Sequence, residues 1–190
     1  MRTFIAIPIS SQIKNFLENI QNELKTAGLD VKWVKAENIH ITLKFLGEIK
    51  EDKIPLVKKI MDSVGERINP FVVSISSLGV FPKKELPKII WVGIEKGNEE
   101  LKNIAEALDD KIKKIGIPKE KRPFTSHITL GRLRSLQNVK KLTERLEPLS
   151  EYIIQEKKEF TVKEIVLYKS TLVSHGPIYE ELYVRNLKTT

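Results

Sequence analysis

The chain has 190 residues, no cysteine and three histidines, and its 33 basic against 25 acidic residues give a net charge of +8. The lack of cysteine excludes disulfides, thiolate catalysis, zinc fingers and iron–sulfur clusters. The basic surplus suggests a polyanionic partner such as nucleic acid. No segment reaches the roughly 18 apolar residues of a membrane span, and the N-terminus lacks the pattern of a signal peptide. We therefore expect a cytoplasmic protein without a membrane partner, and a monomer.

The predicted elements alternate between strands and helices along the chain. The first half is predicted to contain strands at 2–9, 31–34, 38–46, 71–81 and 89–94, with helices from Ser10 or Ser11 to Gly28 and over 52–66. The second half is predicted to contain a helix from Asn98 to about Gly116, a strand at 124–134, a helix over about 136–147 broken by Pro148, and strands at 160–168 and 178–187.

An internal repeat with an offset of 87 residues relates the two halves, because the tetrapeptide His-Ile-Thr-Leu at 40–43 recurs at 127–130. The same offset aligns Phe4–Ile7 with Trp91–Ile94 and residues 73–81 with 160–168. We interpret residues 1–190 as one bilobal domain built from a repeat of about 4–81 and 91–168. The expected class is α+β: a duplicated two-lobed fold in which each lobe is an antiparallel-type sheet with helices on its outer face, and a pseudo-twofold cleft lies between the lobes.

Both copies of the repeated tetrapeptide lie in predicted strands, where successive side chains alternate between faces. In the first copy, His40, Thr42 and Lys44 share one face, and Phe45 lies on the other with the apolar residues. In the second copy, His127 and Thr129 share a face. The two polar faces are expected to line the cleft with two imidazoles and two hydroxyls.

This set of side chains suits phosphoryl chemistry. A neutral imidazole can take a proton from an attacking water while a protonated one gives a proton to the leaving oxygen. The hydroxyls of Thr42 and Thr129 can donate hydrogen bonds to the non-bridging phosphate oxygens. No cluster of carboxylates at metal-ligand spacing is present, so we expect neither a metal nor a cofactor. The pseudosymmetry alone does not decide which histidine is the acid.

The segments 38–47 and 122–132 resemble the two HxTx motifs of the two-histidine (2H) phosphoesterase superfamily. The whole chain is similar to its RNA 2′,3′-cyclic phosphodiesterase family, historically called 2′-5′ RNA ligases. The resemblance implies metal-independent hydrolysis of an RNA terminal 2′,3′-cyclic phosphate to a 2′-phosphomonoester, with ligation as the reverse reaction. It implies His127 as the proton acceptor and His40 as the proton donor. The family usually has proline before the second histidine, where this chain has Ser126.

The resemblance also implies that residues five positions after each histidine, Phe45 and Arg132, contact the terminal nucleotide. Phe45 would stack on a base and Arg132 would stack or bind phosphate. Strict alternation along the strand argues against stacking by Phe45, because it places this side chain on the core face unless the strand twists near Gly47. His175 has no repeat partner and lies in a turn-like sequence, so we predict a surface loop there.

Three alternatives stay open on the residues alone. One is a phosphodiesterase of the same superfamily that acts on another cyclic nucleotide or on a 2′,5′-linked substrate. Another is a non-catalytic RNA-binding module, against which the intact histidines and threonines of both copies argue. The third is a metal-dependent phosphodiesterase, which the missing carboxylate cluster disfavours.

Overall fold

The computed structural model describes residues 1–174 and 176–188. In these residues it contains nine strands and four α-helices. The strands are β1 (Arg2–Pro8), β2 (Val31–Trp33), β3 (His40–Glu48), β4 (Phe71–Phe81), β5 (Ile89–Ile94), β6 (His127–Leu133), β7 (Glu159–Val162), β8 (Glu164–Val173) and β9 (Gly176–Asn186). The helices are α1 (Ser11–Lys25), α2 (Ile54–Gly65), α3 (Asn98–Lys113) and α4 (Val139–Glu156).

Each helix buries one stripe of apolar side chains and leaves its other faces polar. Helix α1 begins after Ser10, whose hydroxyl accepts a hydrogen bond from the backbone N–H of Ile13 at 3.5 Å. Helix α3 starts 87 residues after α1, and both bury their stripes against the sheet. No helix in the described part of the chain is long and apolar enough to cross a membrane.

The strands form one antiparallel sheet in the order β7-β4-β5-β6-β3-β1-β8-β9, with β2 beside β6. At its centre, β3 and β6 pair at Ile41 and Ile128, two residues that the offset of 87 makes equivalent. A local twofold axis therefore passes between them, and the same face of the sheet carries both histidines. The helices cover the opposite face. These features confirm the predicted α+β fold.

The two lobes do not coincide with the two sequence repeats. We define the His40 lobe as strands β3, β1, β8 and β9 with helices α2 and α3, and the His127 lobe as β2, β6, β5, β4 and β7 with α1 and α4. Each repeat contributes its first helix and its last strand to the lobe of the other repeat. The sequence did not predict this exchange of elements between lobes, because helical and strand spacing do not reveal which sheet an element joins.

Strands β1 and β5, which flank the central pair, follow a different offset. Ile7 of β1 pairs with Ile41, and Val92 of β5 pairs with Ile128. These strands are thus related in the sheet by 85 residues, two fewer than the sequence alignment indicates. A shift of two residues keeps every side chain on its face, so the polarity pattern is the same in both alignments.

The largest differences between predicted and observed elements lie in the second half of the chain. Helix α4 continues through Pro148 to Glu156. The hydroxyl of Ser150 is hydrogen-bonded to the backbone of Leu78 in β4, and buried Ile153 packs in the core, so tertiary contacts offset the cost of the proline. The predicted strand at 160–168 is divided between β7 and β8, which pair with β4 and β1 respectively.

Candidate active site

The central pair of strands brings the two predicted histidines together. Since Ile41 and Ile128 are antiparallel partners, His40 lies beside Thr129 and Thr42 lies beside His127. The two histidines are diagonal neighbours, and such neighbours on adjacent strands lie roughly 7–8 Å apart. This spacing leaves room for a phosphate group between the imidazoles.

The same backbone contact orients both imidazoles. His40 Nδ1 lies 2.7 Å from the carbonyl oxygen of Asn38, and His127 Nδ1 lies 2.7 Å from that of Thr125. A carbonyl oxygen only accepts hydrogen bonds, so Nδ1 carries the proton in each ring. When either histidine is neutral, its Nε2 therefore carries the lone pair that can accept a proton. A protonated imidazole has a proton to give at that same atom.

His40 is packed among aromatic rings. Its ring centroid lies 4.9 Å from that of Phe4 and 5.5 Å from that of Tyr179, and Tyr168 stacks on Phe4. Its Nε2 lies 2.9 Å from the hydroxyl of Thr42. Burial lowers the pKa of His40 to about 4; the contact with the Asn38 carbonyl opposes this shift, while the charges of Lys14 and His127 add to it. In the free protein, His40 is therefore neutral at pH 7.

His127 has a different environment on an equivalent backbone. Phe81 lies edge-on to its ring at a centroid distance of 5.6 Å, and Phe81 in turn stacks on Trp91. In the described part of the chain, His127 shows no hydrogen bond to Thr129 like the one between His40 and Thr42. Its ring nitrogen contact is solvent-exposed, whereas that of His40 is partly buried.

Ser126 anchors the start of the second motif. The residue is buried, and its hydroxyl donates a 2.5 Å hydrogen bond to the side-chain oxygen of Asn98, the first residue of α3. A proline at this position has no hydroxyl to make that bond. In this chain, Ser126 thus ties β6 to a helix by a polar contact.

The prediction for Lys44 was wrong, because a β-bulge interrupts the alternation in β3. Thr42 pairs with Ala6 and Lys44 with Ile5, so Leu43 is an extra residue in the strand. After the bulge, Lys44 faces the helices and is 2% exposed, while Phe45 faces the cleft and is 54% exposed. Phe45 thus lies on the histidine face, where the resemblance requires it and strict alternation does not.

An equivalent bulge in β6 does the same for Arg132. Thr129 pairs with Trp91 and Gly131 with Ile90, so Leu130 is the extra residue. Arg132 is exposed on the face of His127 and Thr129. The structure therefore places all six predicted site residues on one face of the sheet.

A helix fastens each bulge. Lys44 Nζ lies 2.6 Å from the carboxylate of Asp109 in α3 and donates a 2.8 Å hydrogen bond to the carbonyl of Pro118. In β6, the side-chain amide of Gln21 in α1 donates to the carbonyl of Leu130 at 2.8 Å. In both cases the helix belongs to the other sequence repeat. Neither Asp109 nor Gln21 was predicted from the sequence. The available signal was Lys44, a lysine between apolar residues of a predicted strand.

The structure does not test the predictions about metals, cofactors and His175. Among the described residues, no group of three or more His, Cys, Asp or Glu side chains is arranged to hold a metal ion. Catalysis without a metal or cofactor stays a prediction. His175, predicted to lie in a surface loop, falls outside the described residues.

Known proteins resemble the chain over nearly its full length. The model of a family described as LigT-like phosphoesterases matches it twice, over residues 7–91 and 92–179. A Methanocaldococcus jannaschii protein named RNA 2′,3′-cyclic phosphodiesterase is 39% identical and covers 95% of this chain and 97% of its own length. An Aquifex aeolicus protein of the same name is 36% identical, with 97% of each chain covered.

Solved structures share the fold. A crystal structure of a Thermus thermophilus protein matches with a TM-score of 0.81 at 23% identity, covering 99% of this chain and 98% of that one. The structure of Escherichia coli LigT with 3′-AMP matches with a TM-score of 0.75 at 22% identity over the same shares. At these identities the likeness concerns the fold alone.

Proposed function

The chain belongs to the LigT-like phosphoesterase family, and we propose that it hydrolyses the 2′,3′-cyclic phosphate at the end of an RNA to a 2′-phosphomonoester. Relatives at 36–39% identity over nearly the whole chain carry the name of this activity. The observation that carries the proposal is the pair of imidazoles on one face of the sheet, each oriented through Nδ1 by a backbone carbonyl. Such a pair supplies one base and one acid.

We propose His127 as the base. With Nδ1 bound to the Thr125 carbonyl, Nε2 of the neutral ring accepts a proton from a water molecule that attacks the phosphorus atom. The attack opens the cyclic diester as the bond from phosphorus to the ribose 3′-oxygen breaks. The water oxygen stays on phosphorus, which remains attached to the 2′-oxygen.

We propose His40 as the acid, which gives its Nε2 proton to the departing 3′-oxygen. Burial keeps this ring neutral in the free protein, so the ring must take up a proton from solvent when the substrate binds. A cyclic phosphodiester carries one negative charge, and a negative charge within a few ångströms raises the pKa of an imidazole. Bound substrate thereby prepares the acid that its own cleavage needs. The same steps with a hydroxyl group in place of the attacking water would join the cyclic end to that hydroxyl.

The remaining site residues bind the substrate and stabilise the negative charge that develops on its phosphate. Thr42 and Thr129 lie on the histidine face and can donate to non-bridging oxygens as negative charge builds on them. Phe45 offers an exposed ring for stacking on the terminal base, and Arg132 offers a guanidinium for phosphate. The proposed substrate thus interacts with both lobes at once.

The deciding experiment is to incubate the protein with an RNA that ends in a 2′,3′-cyclic phosphate and to identify the product by ³¹P NMR. We expect a 2′-phosphate, in the presence of EDTA as in its absence. A 3′-phosphate would show that the leaving oxygen is misassigned, and an unchanged RNA would overturn the proposed activity. Loss of activity with EDTA would show that a metal takes part. The monomeric state and the cytoplasmic location stay predictions; gel filtration tests the first.

A further inference from the structure

A cavity of about 500 Å³ borders His40, and its lining includes residues that precede His40 in the chain but not Phe45. It lies between α1, the short turn before β3, and the β8–β9 hairpin. The Asn38 side chain donates a 2.9 Å hydrogen bond to the carbonyl of Pro177, which holds the hairpin against this turn. The volume is in the range of small-ligand sites and is sufficient for one nucleotide. We call this space the Lys14 cavity.

Lys14 and Lys35 supply positive charge at the wall of the Lys14 cavity. The Lys14 ammonium donates a 3.0 Å hydrogen bond to the carbonyl of Glu37, which fixes its position. Burial lowers the pKa of Lys14, although the charges of Glu37 and Glu181 oppose this shift. Because its charge also acts on His40, the ammonium lies close to the proposed acid.

The rest of the lining suits a nucleotide better than a bare phosphate. Tyr168 and Tyr179 present rings against which a base can pack. The carboxylates of Glu37 and Glu181 can accept hydrogen bonds from a base edge or from a ribose 2′-hydroxyl, the group that distinguishes RNA from DNA. Lysines alone would attract any anion, whereas this mixture has partners for phosphate, sugar and base.

The Lys14 cavity and Phe45 lie at opposite ends of the histidine pair. Strand β6 runs antiparallel to β3 from the pair Ile41–Ile128, so Arg132 lies alongside the residues that precede His40. Burial raises the pKa of the Tyr179 phenol in the cavity wall, and the charges of Arg132 and Arg2 both oppose this rise. A chain that places its last base on Phe45 and its cyclic phosphate between the histidines would continue toward the cavity.

We propose that the Lys14 cavity binds the nucleotide that precedes the terminal one in an RNA substrate, with Lys14 and Lys35 on its phosphate. The inference rests on the proposed function. It specifies the substrate class as RNA ends of at least two nucleotides rather than cyclic mononucleotides.

The test compares kcat/KM for a dinucleotide and for a mononucleotide that both end in a 2′,3′-cyclic phosphate. We expect the wild-type protein to prefer the dinucleotide. In the double variant Lys14→Gln/Lys35→Gln, the ratio of the two constants should fall about tenfold, which is the loss expected for one charge-assisted hydrogen bond. The matched control Lys59→Gln/Lys102→Gln removes two exposed lysines from the helices α2 and α3 and should keep the wild-type ratio.

The outcomes separate the two proposals. Equal constants for both substrates, or an unchanged ratio in the double variant, would overturn the role of the Lys14 cavity while the hydrolysis itself stands. A fall in the control variant equal to that in the test variant would assign the effect to net charge and would also overturn it. Absence of hydrolysis with either substrate would refute the proposed function and, with it, this inference.

Discussion

The strands of the two HxTx motifs share a backbone geometry but differ in what surrounds their histidines. Each histidine is bound through Nδ1 to the carbonyl two residues earlier, at the same distance of 2.7 Å. His40 then packs against Phe4 and Tyr179 and contacts Thr42, while the ring contact of His127 is exposed. The duplicated backbone thus sets the orientation of both rings, and the side chains around His40 set the protonation state of His40.

The two bulges likewise share a backbone geometry but differ in the side chains that hold them. Each turns the fifth residue after its histidine into the cleft, and each is held by a helix of the other repeat. Yet Lys44 is held by a buried ion pair, whereas its counterpart Gly131 fits because it has no side chain. A Cβ on Gly131 would lie 2.5 Å from a Val31 methyl carbon. The equivalent geometry is therefore maintained by different chemistry in the two lobes.

The largest expected effect separates the roles of the two histidines. We expect His40→Ala and His127→Ala each to lower kcat by about 10²–10⁴-fold, the usual contribution of a positioned acid or base. A substrate with sulfur in place of the 3′-oxygen has a leaving group that needs no proton. With it, His40→Ala should recover most of its activity, and His127→Ala should not.

The same pair of rate measurements can refute the assignment. Recovery of His127→Ala instead of His40→Ala would exchange the two roles. Near-full activity of either variant on the natural cyclic phosphate would remove that histidine from the mechanism. Circular dichroism of both variants checks that the fold is retained.

The next effect concerns stability and contrasts the two bulges. Lys44→Ala leaves the Asp109 carboxylate without its buried partner, so we expect the free energy of unfolding to fall by about 3–5 kcal/mol. Gln21→Leu removes neutral hydrogen bonds from the other bulge, and Leu130 keeps its bond from the Val34 N–H. For Gln21→Leu we expect the free energy of unfolding to fall by about 1–2 kcal/mol. Urea denaturation measures both values.

A double variant serves as the control for the ion pair. Lys44→Met with Asp109→Leu removes both charges, so it should be clearly more stable than Lys44→Ala. Equal destabilisation by Lys44→Ala and Gln21→Leu would contradict the view that the bulges are held by different chemistry.

The sequence predicted the motifs because identical tetrapeptides in equivalent strands must present identical faces. It did not predict the bulges, since a bulge adds a residue to one strand relative to a partner that is distant in the chain. Lys44 was therefore assigned to the cleft. Phe45 was assigned to the cleft only if the strand twists near Gly47. For the same reason, the exchange of α1 and α3 between lobes was not predicted. The spacing of apolar residues predicts a helix or a strand, but it does not indicate which distant part of the chain that element packs against.

The pH dependence of stability tests the environment of His40. Its pKa is about 4 in the folded protein and near the ordinary 6.5 in the unfolded chain. Between these values the unfolded chain binds a proton that the folded protein does not, so stability falls as the pH decreases through that window, by up to about 3 kcal/mol. Urea midpoints at pH 7 and pH 4 should differ less for His40→Gln than for the wild type. Parallel behaviour of the two proteins would contradict a partly buried His40 that is neutral in the folded protein.

The smallest effect compares the equivalent positions Phe45 and Arg132, which face the cleft at opposite ends. Stacking on one base is worth about 1–3 kcal/mol, so Phe45→Leu should raise KM about tenfold, while Phe45→Tyr keeps the ring and should change it little. For a ribose 2′,3′-cyclic phosphate without a base, Phe45→Leu should leave KM unchanged. Arg132→Gln should still raise KM for this substrate, because a guanidinium recognises phosphate and not the base. If the baseless substrate lost as much affinity from Phe45→Leu as the nucleotide does, the ring would be acting through the shape of the cleft and not through stacking.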